Sequence, residues 1–169
     1  VLVFGGRRVL HDLTVVDALR TRYPGAPVVG CSTAGEIHGT EVHDDSLVAT
    51  AIRFEHTALR IATQPLEEAS GSAEVGSLIA RALLAPDLRH VLVLSTGIHV
   101  NGSALVNGLS AELPEEVGVT GGLAGDGADF VETAVYFDGQ PHAGAVVGIG
   151  LYGDRLRIGF GSMGGWDSF

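Results

Sequence analysis

Pro27-Val28-Val29-Gly30-Cys31-Ser32-Thr33-Ala34-Gly35-Glu36 is a short apolar run that passes straight into residues too small and polar to continue a strand. A turn is therefore predicted at the carboxyl end of that strand, where α/β sheets collect ligands. Upstream, Val1-Leu2-Val3-Phe4 is a second apolar run. Leu13, Val16, Leu19 and Tyr23 then recur at near-helical spacing until Pro24-Gly25 stops them. The order around the first turn is strand, helix, strand.

Ile37 to Asp45 is polar and reads as a loop, and residues 46–55 and 58–64 read as two strands around a tight turn near His56 and Thr57. Val75, Leu78, Ile79, Ala82 and Leu83 form a one-sided helical stripe that Pro86 closes. The opening pattern then recurs. A strand at 91–96 precedes a helix carrying Leu105, Val106, Leu109 and Leu113, and a strand at 117–120 runs into Gly121-Gly122-Leu123-Ala124-Gly125-Asp126-Gly127. Strands at 130–137 and 143–152 flank Asp138-Gly139, a hairpin turn signal. A last strand at 155–161 carries Leu156-Arg157-Ile158, which echoes Leu59-Arg60-Ile61.

This order predicts an α/β fold, with α+β as the alternative: internally duplicated strand-helix-strand-hairpin units forming mixed sheets flanked by helices. The pseudo-repeats cover about 1–66 and 90–162 of a single domain spanning 1–169. Their two glycine turns are expected to face one cleft.

Composition narrows the chemistry. All ten basic residues are arginine, so Schiff-base chemistry, a lysine nucleophile and the P-loop lysine are excluded. A net charge of −10 opposes nucleic acid and anionic membranes as partners. Cys31 is the single cysteine, which rules out an intrachain disulfide and fits a reducing cytoplasm. No apolar run approaches the roughly 20 residues of a membrane span. The opening strand and the stop at Gly164-Gly165-Trp166-Asp167-Ser168-Phe169 read as a piece of a longer protein, with Trp166 a core plug or a junction.

The candidate ligand-binding residues are those of the two turns and of the segment that caps the helix of residues 103–113: Gly30, Cys31, Ser32, Thr33, Gly35 and Glu36; Asn101, Gly102 and Ser103; Gly121, Gly122, Gly125 and Asp126. Backbone N–H groups in such turns form concave anion sites, and a helix N-terminus adds a positive end. Their side chains mix hydroxyl, amide and carboxylate without a cation, which suits a zwitterion. Amides would take its carboxylate while Glu36 or Asp126 paired with its ammonium. Solvated tight turns are the plainer reading. Cys31 is either a small buried hydrophobe or a nucleophile, the latter needing His99 as base and Asp126 as orienting acid. His38, Glu41, His43, Asp44 and Asp45 have no metal-ligand spacing, and neither a metal nor a cofactor is expected. Gly121 to Gly127 lacks the dinucleotide spacing, and the strand expected after it is not the helix that a pyrophosphate needs.

Gly30-Cys31-Ser32-Thr33-Ala34-Gly35-Glu36-Ile37, Asn101-Gly102-Ser103 leading to Leu105-Val106-Asn107-Gly108-Leu109, and Gly121-Gly122-Leu123-Ala124-Gly125-Asp126-Gly127 together resemble the N-terminal FIST domain. That resemblance implies a sensory input module of signalling proteins, found in bacteria and archaea and beside F-boxes in eukaryotes, that binds small ligands such as amino acids. It also implies a C-terminal FIST domain or an attached output domain as partner. The alternatives are a cysteine-dependent hydrolase or acyl transferase using Cys31, and a ligand-free protein interaction module.

Overall fold

The first apolar run forms β1 (Leu2–Gly5), and the chain returns through α1 (Arg7–His11) and α2 (Leu13–Arg22) to β2 (Val29–Ser32), parallel to β1. The computed structural model describes residues 1–161, apart from the side chains of Leu13 and Ala69; the expectation for Trp166 lies outside the described residues. Asp12 starts α2 by accepting hydrogen bonds from Thr14 N at 3.0 Å and Thr14 Oγ1 at 2.6 Å. The same path recurs at β7 (Leu88–Ser95), α4 (Gly102–Glu112) and β8 (Gly118–Leu123), with β7 parallel to β8.

The correspondence extends to one backbone detail. A Cβ on Gly30 would fall 1.7 Å from the carbonyl oxygen of Val3, its register partner, and one on Gly121 would fall 1.8 Å from that of Val93, its own. Gly30 lies in β2, within the apolar run expected to be a strand, whereas Gly121 and Gly122 lie in β8 and not in the turn expected from sequence. Gly30 and Gly121 are glycine because a neighbouring strand's carbonyl occupies the side-chain space.

Beyond these units the two halves diverge. β3 (Glu36–His38) and β4 (Glu41–His43) form a small hairpin where a loop was expected, with Ile37 opposite Val42. β5 (Leu47–Thr50) pairs antiparallel with β1, whereas β6 (Ala58–Pro65) joins the other sheet against β11 (Ala145–Tyr152). The expected hairpin between them does not form, because each finds its partner across the fold. Asp138-Gly139 does make a tight turn, both residues having positive φ, but it joins β9 (Val135–Phe137) to β10 (Gln140–His142). Residues 130–134 and 155–161 form no strand. The echo of Leu59-Arg60-Ile61 in Leu156-Arg157-Ile158 is thus not structural, and what the two halves share is the strand-helix-strand order alone.

The result is two mixed sheets, β10-β9-β2-β1-β5 and β6-β11-β7-β8. Alternation along the strands assigns their faces. Val29, Cys31, Val135 and Phe137 of the first sheet meet Leu94, Val147 and Ile149 of the second in one core. Val3, Val28 and Tyr136 turn the other way, onto Leu10 and Val16 of α1 and α2. Val91, Val93 and Val146 pack on α4 and on α3 (Ser72–Leu83), through Leu105, Leu109, Val75, Ile79 and Leu83. Helices, sheet, sheet, helices is the layer order.

The α3–α4 contact is close. A Cβ on Gly76 would lie 2.2 Å from Leu105 O, and one on Gly108 2.0 Å from Ala73 O. Helix propensity alone favours Gly→Ala by about 1 kcal/mol. Overpacking of this kind costs about 1–3 kcal/mol and must also offset that gain. Gly76→Ala and Gly108→Ala are therefore expected to lower the urea midpoint, whereas Gly122→Ala, with nothing within 4 Å of its Cβ, leaves it unchanged. Equal midpoints for all three variants would contradict the close crossing.

Candidate functional site

Ser32, at the end of β2, joins the segment that follows β8 to the first sheet. Its N–H donates to Ala134 O at 2.8 Å, its carbonyl accepts from Gly125 N at 2.8 Å, and its Oγ accepts from Ala134 N at 2.9 Å. Thr33 N donates to Gly5 O at 3.1 Å, which ties the same strand end to the loop after β1. Loops from the ends of three strands are thereby held side by side around a cavity of about 490 Å³. Its walls are Gly6 to Arg8, residues 33–36, Asp44 with Asp45, and residues 126–129.

The two loops expected to face each other do so, but their buried carboxylates already have partners. Glu36, 2% exposed, accepts from Thr33 Oγ1 at 2.5 Å, Ser46 Oγ at 2.6 Å and Ser46 N at 3.0 Å. Asp126, also buried, accepts from Arg7 Nε at 2.7 Å and from Val131 N and Glu132 N at 2.9 Å each. Phe130, in the left-handed region at φ 52°, turns the backbone so that both amides point back at Asp126. Burial pushes the Asp126 carboxyl up, but the Glu132 and Val131 amides and Arg7 together outweigh it and hold it below the ordinary value. Hydrogen bonding to Asp126 in turn raises the Arg7 guanidinium. These acids fix the loops, each carboxylate accepting three hydrogen bonds from within the protein.

Arg7 and Arg8 were not anticipated, and they give the cavity cations where none was expected. The signal was present: Gly6-Arg7-Arg8 directly follows the first parallel strand, at the same end as Ser32-Thr33. Arg7 also lies 3.7 Å from Asp129 and 3.9 Å from Glu132. Arg8, Asp44 and Asp45 make no ion pair among the described residues. The amides of Ala34, Gly127 and Ala128 likewise find no acceptor there. The cavity thus offers one unpaired guanidinium and several N–H donors alongside exposed carboxylates.

Asn101, Gly102 and Ser103 do not join this site. They start α4, and of the three only Gly102 lines a separate cavity, which Gly121 and Gly122 also line. The expected convergence of three donors therefore fails, because β8 continues through Gly121-Gly122 and carries them to the α4 side of the second sheet. Cys31 lies in the core between the sheets, where burial pushes its thiol up to about 11. His99 is exposed and Asp126 is committed to Arg7. Among the described residues no hydrogen bond links Cys31, His99 and Asp126. Among the described residues no group of three or more His, Cys, Asp or Glu could hold a metal, and no helix is long and apolar enough to cross a membrane.

Two measurements check this electrostatic picture. Native Cys31 carries only about one thiolate in a thousand at pH 8, so iodoacetamide should label it far more slowly than the urea-unfolded chain; equal rates would contradict its burial. Asp126 is held below its usual 3.8, so its stabilising contribution is full above that value and is lost as pH falls beneath it. Asp126→Asn should flatten that acid-side fall in urea stability, and an unchanged profile would contradict the assignment.

Comparison with family models places the FIST N domain over residues 1–169, the whole chain. Comparison with curated proteins gives no match.

Proposed function

We propose that this chain, which belongs to the FIST N domain family of sensory domains in signal-transduction proteins, senses a small zwitterionic metabolite of the amino-acid type in the cavity between residues 33–36 and 126–129. One observation carries the reading. Arg8 and the amides of Ala34, Gly127 and Ala128, all without a partner among the described residues, line the same cavity as the exposed carboxylates of Asp44 and Asp45. A ligand carboxylate pairs with Arg8 and the amides, and its ammonium with Asp44, Asp45 or Asp129. Glu36 and Asp126 hold the walls and do not touch the ligand.

Binding then shifts the balance between arrangements of the loops, which an attached output domain reads in the cytoplasm. The C-terminal FIST domain is the partner this reading favours. Ile37, Val42, Phe130 and Val131 are 69%, 68%, 84% and 71% exposed, and they lie on the hairpin and the loop that border the cavity. Such apolar side chains suit a protein surface closing over the cleft.

Thermal unfolding against each proteinogenic amino acid tests the site. A ligand at about 100 times its Kd adds about 2.7 kcal/mol, a rise of roughly 5–10 °C for a domain of this size. Arg8→Ala should abolish the rise, and Asp44→Asn with Asp45→Asn should reduce it. A rise that Arg8→Ala leaves intact would place the ligand elsewhere.

A further inference from the structure

The second cavity, about 590 Å³, sits where β7 and β8 end against the start of α4. Its apolar wall comes from Leu105, Val106, Val119 and Leu123, and among the described residues no charged side chain lines it. Val106 and Leu123 are 45% and 51% exposed there. At its inner end α4, eleven residues long, begins: Asn101 Oδ1 accepts from Ala104 N at 3.0 Å and Asn101 O from Leu105 N at 2.9 Å. The amides of Gly102 and Ser103 find no acceptor among the described residues and carry the positive end of the helix dipole. Ser95, the last residue of β7, lines the same cavity as Gly102; it is 1% exposed, and its Oγ has no hydrogen-bond partner among the described residues. A buried hydroxyl left unpaired is costly, and its pairing by a bound group removes that cost.

We propose that this cavity is a second ligand site, taking a small monocarboxylate with a short branched apolar tail. The carboxylate sits on the Gly102 and Ser103 amides and on the Ser95 hydroxyl; the tail lies against Leu105, Val106 and Leu123. With no acidic side chain among the described residues of the wall, the site has nothing to hold an ammonium, so its ligand differs in class from the zwitterion of the first cavity. Occupancy of one does not require the other.

Titration calorimetry of the whole chain with isovalerate tests this, with isovaleramide as the neutral isostere and acetate as the head group alone. Saturable isovalerate binding is expected, with both controls at least about tenfold weaker. Ser95→Ala should weaken isovalerate by about tenfold without lowering Tm, since an unpartnered hydroxyl has no internal bond to lose. Val106→Glu, on the exposed wall, should abolish binding by repulsion, and Val106→Lys should retain it. Any of four results would overturn the proposal. Isovalerate fails to bind; isovaleramide binds as well as the acid; Ser95→Ala lowers Tm while leaving the Kd unchanged; or Arg8→Ala removes isovalerate binding, which would put the acid in the first cavity.

Discussion

The backbone and hydroxyl of Ser32 form the joint on which the site depends. Through Gly125 and Ala134, this one fully buried residue joins the end of β2 to the chain that leaves β8. Those strands belong to different sheets. Without that joint the loops would only share an end of the fold. With it, a Cβ on Gly125 would come 2.9 Å from Ala34 N, and the walls are fixed relative to each other. Such buried pairs hold because a lost partner leaves a polar group unsatisfied in a place water does not reach.

Charge is then divided between structure and recognition. Glu36 and Asp126 each accept three hydrogen bonds, from serine, threonine, amide and arginine donors within the protein. Asp44, Asp45 and Arg8 remain at the surface of the cavity without such partners. A chain of net charge −10 keeps a cation at that mouth beside free backbone donors, so an anionic group has somewhere to sit despite the overall field. Among the described residues the second cavity is lined by neither sign of charge.

The sequence shows its local features clearly. The apolar stripe from Val75 to Leu83, the Pro24-Gly25 stop and the Asp138-Gly139 turn all rest on spacing or on residues with restricted φ, and the structure contains each. What it conceals is non-local. Nothing in residues 58–65 says that their partner is β11 and not β5. Gly121 looks like a turn glycine, yet it is set, as Gly30 is, by a carbonyl on a strand that pairs across the sheet. Arg7 and Arg8 look like solvated charges until the loops assemble around them. The first cavity was visible as two matched turns, but the pairing of Asp126 with Arg7 spans 119 positions and leaves no local trace.

The central claim is that one zwitterion touches both loops at once, and amide chemical shifts report that contact directly. Titration of the ¹⁵N-labelled chain with the amino acid that most raises its Tm should move the Ala34, Gly127 and Ala128 amides along one saturable curve. The Gly102 and Ser103 amides should stay in place. Saturable shifts confined to Gly102, Ser103 and their neighbours, or no shift at Ala34, Gly127 and Ala128, would contradict the account.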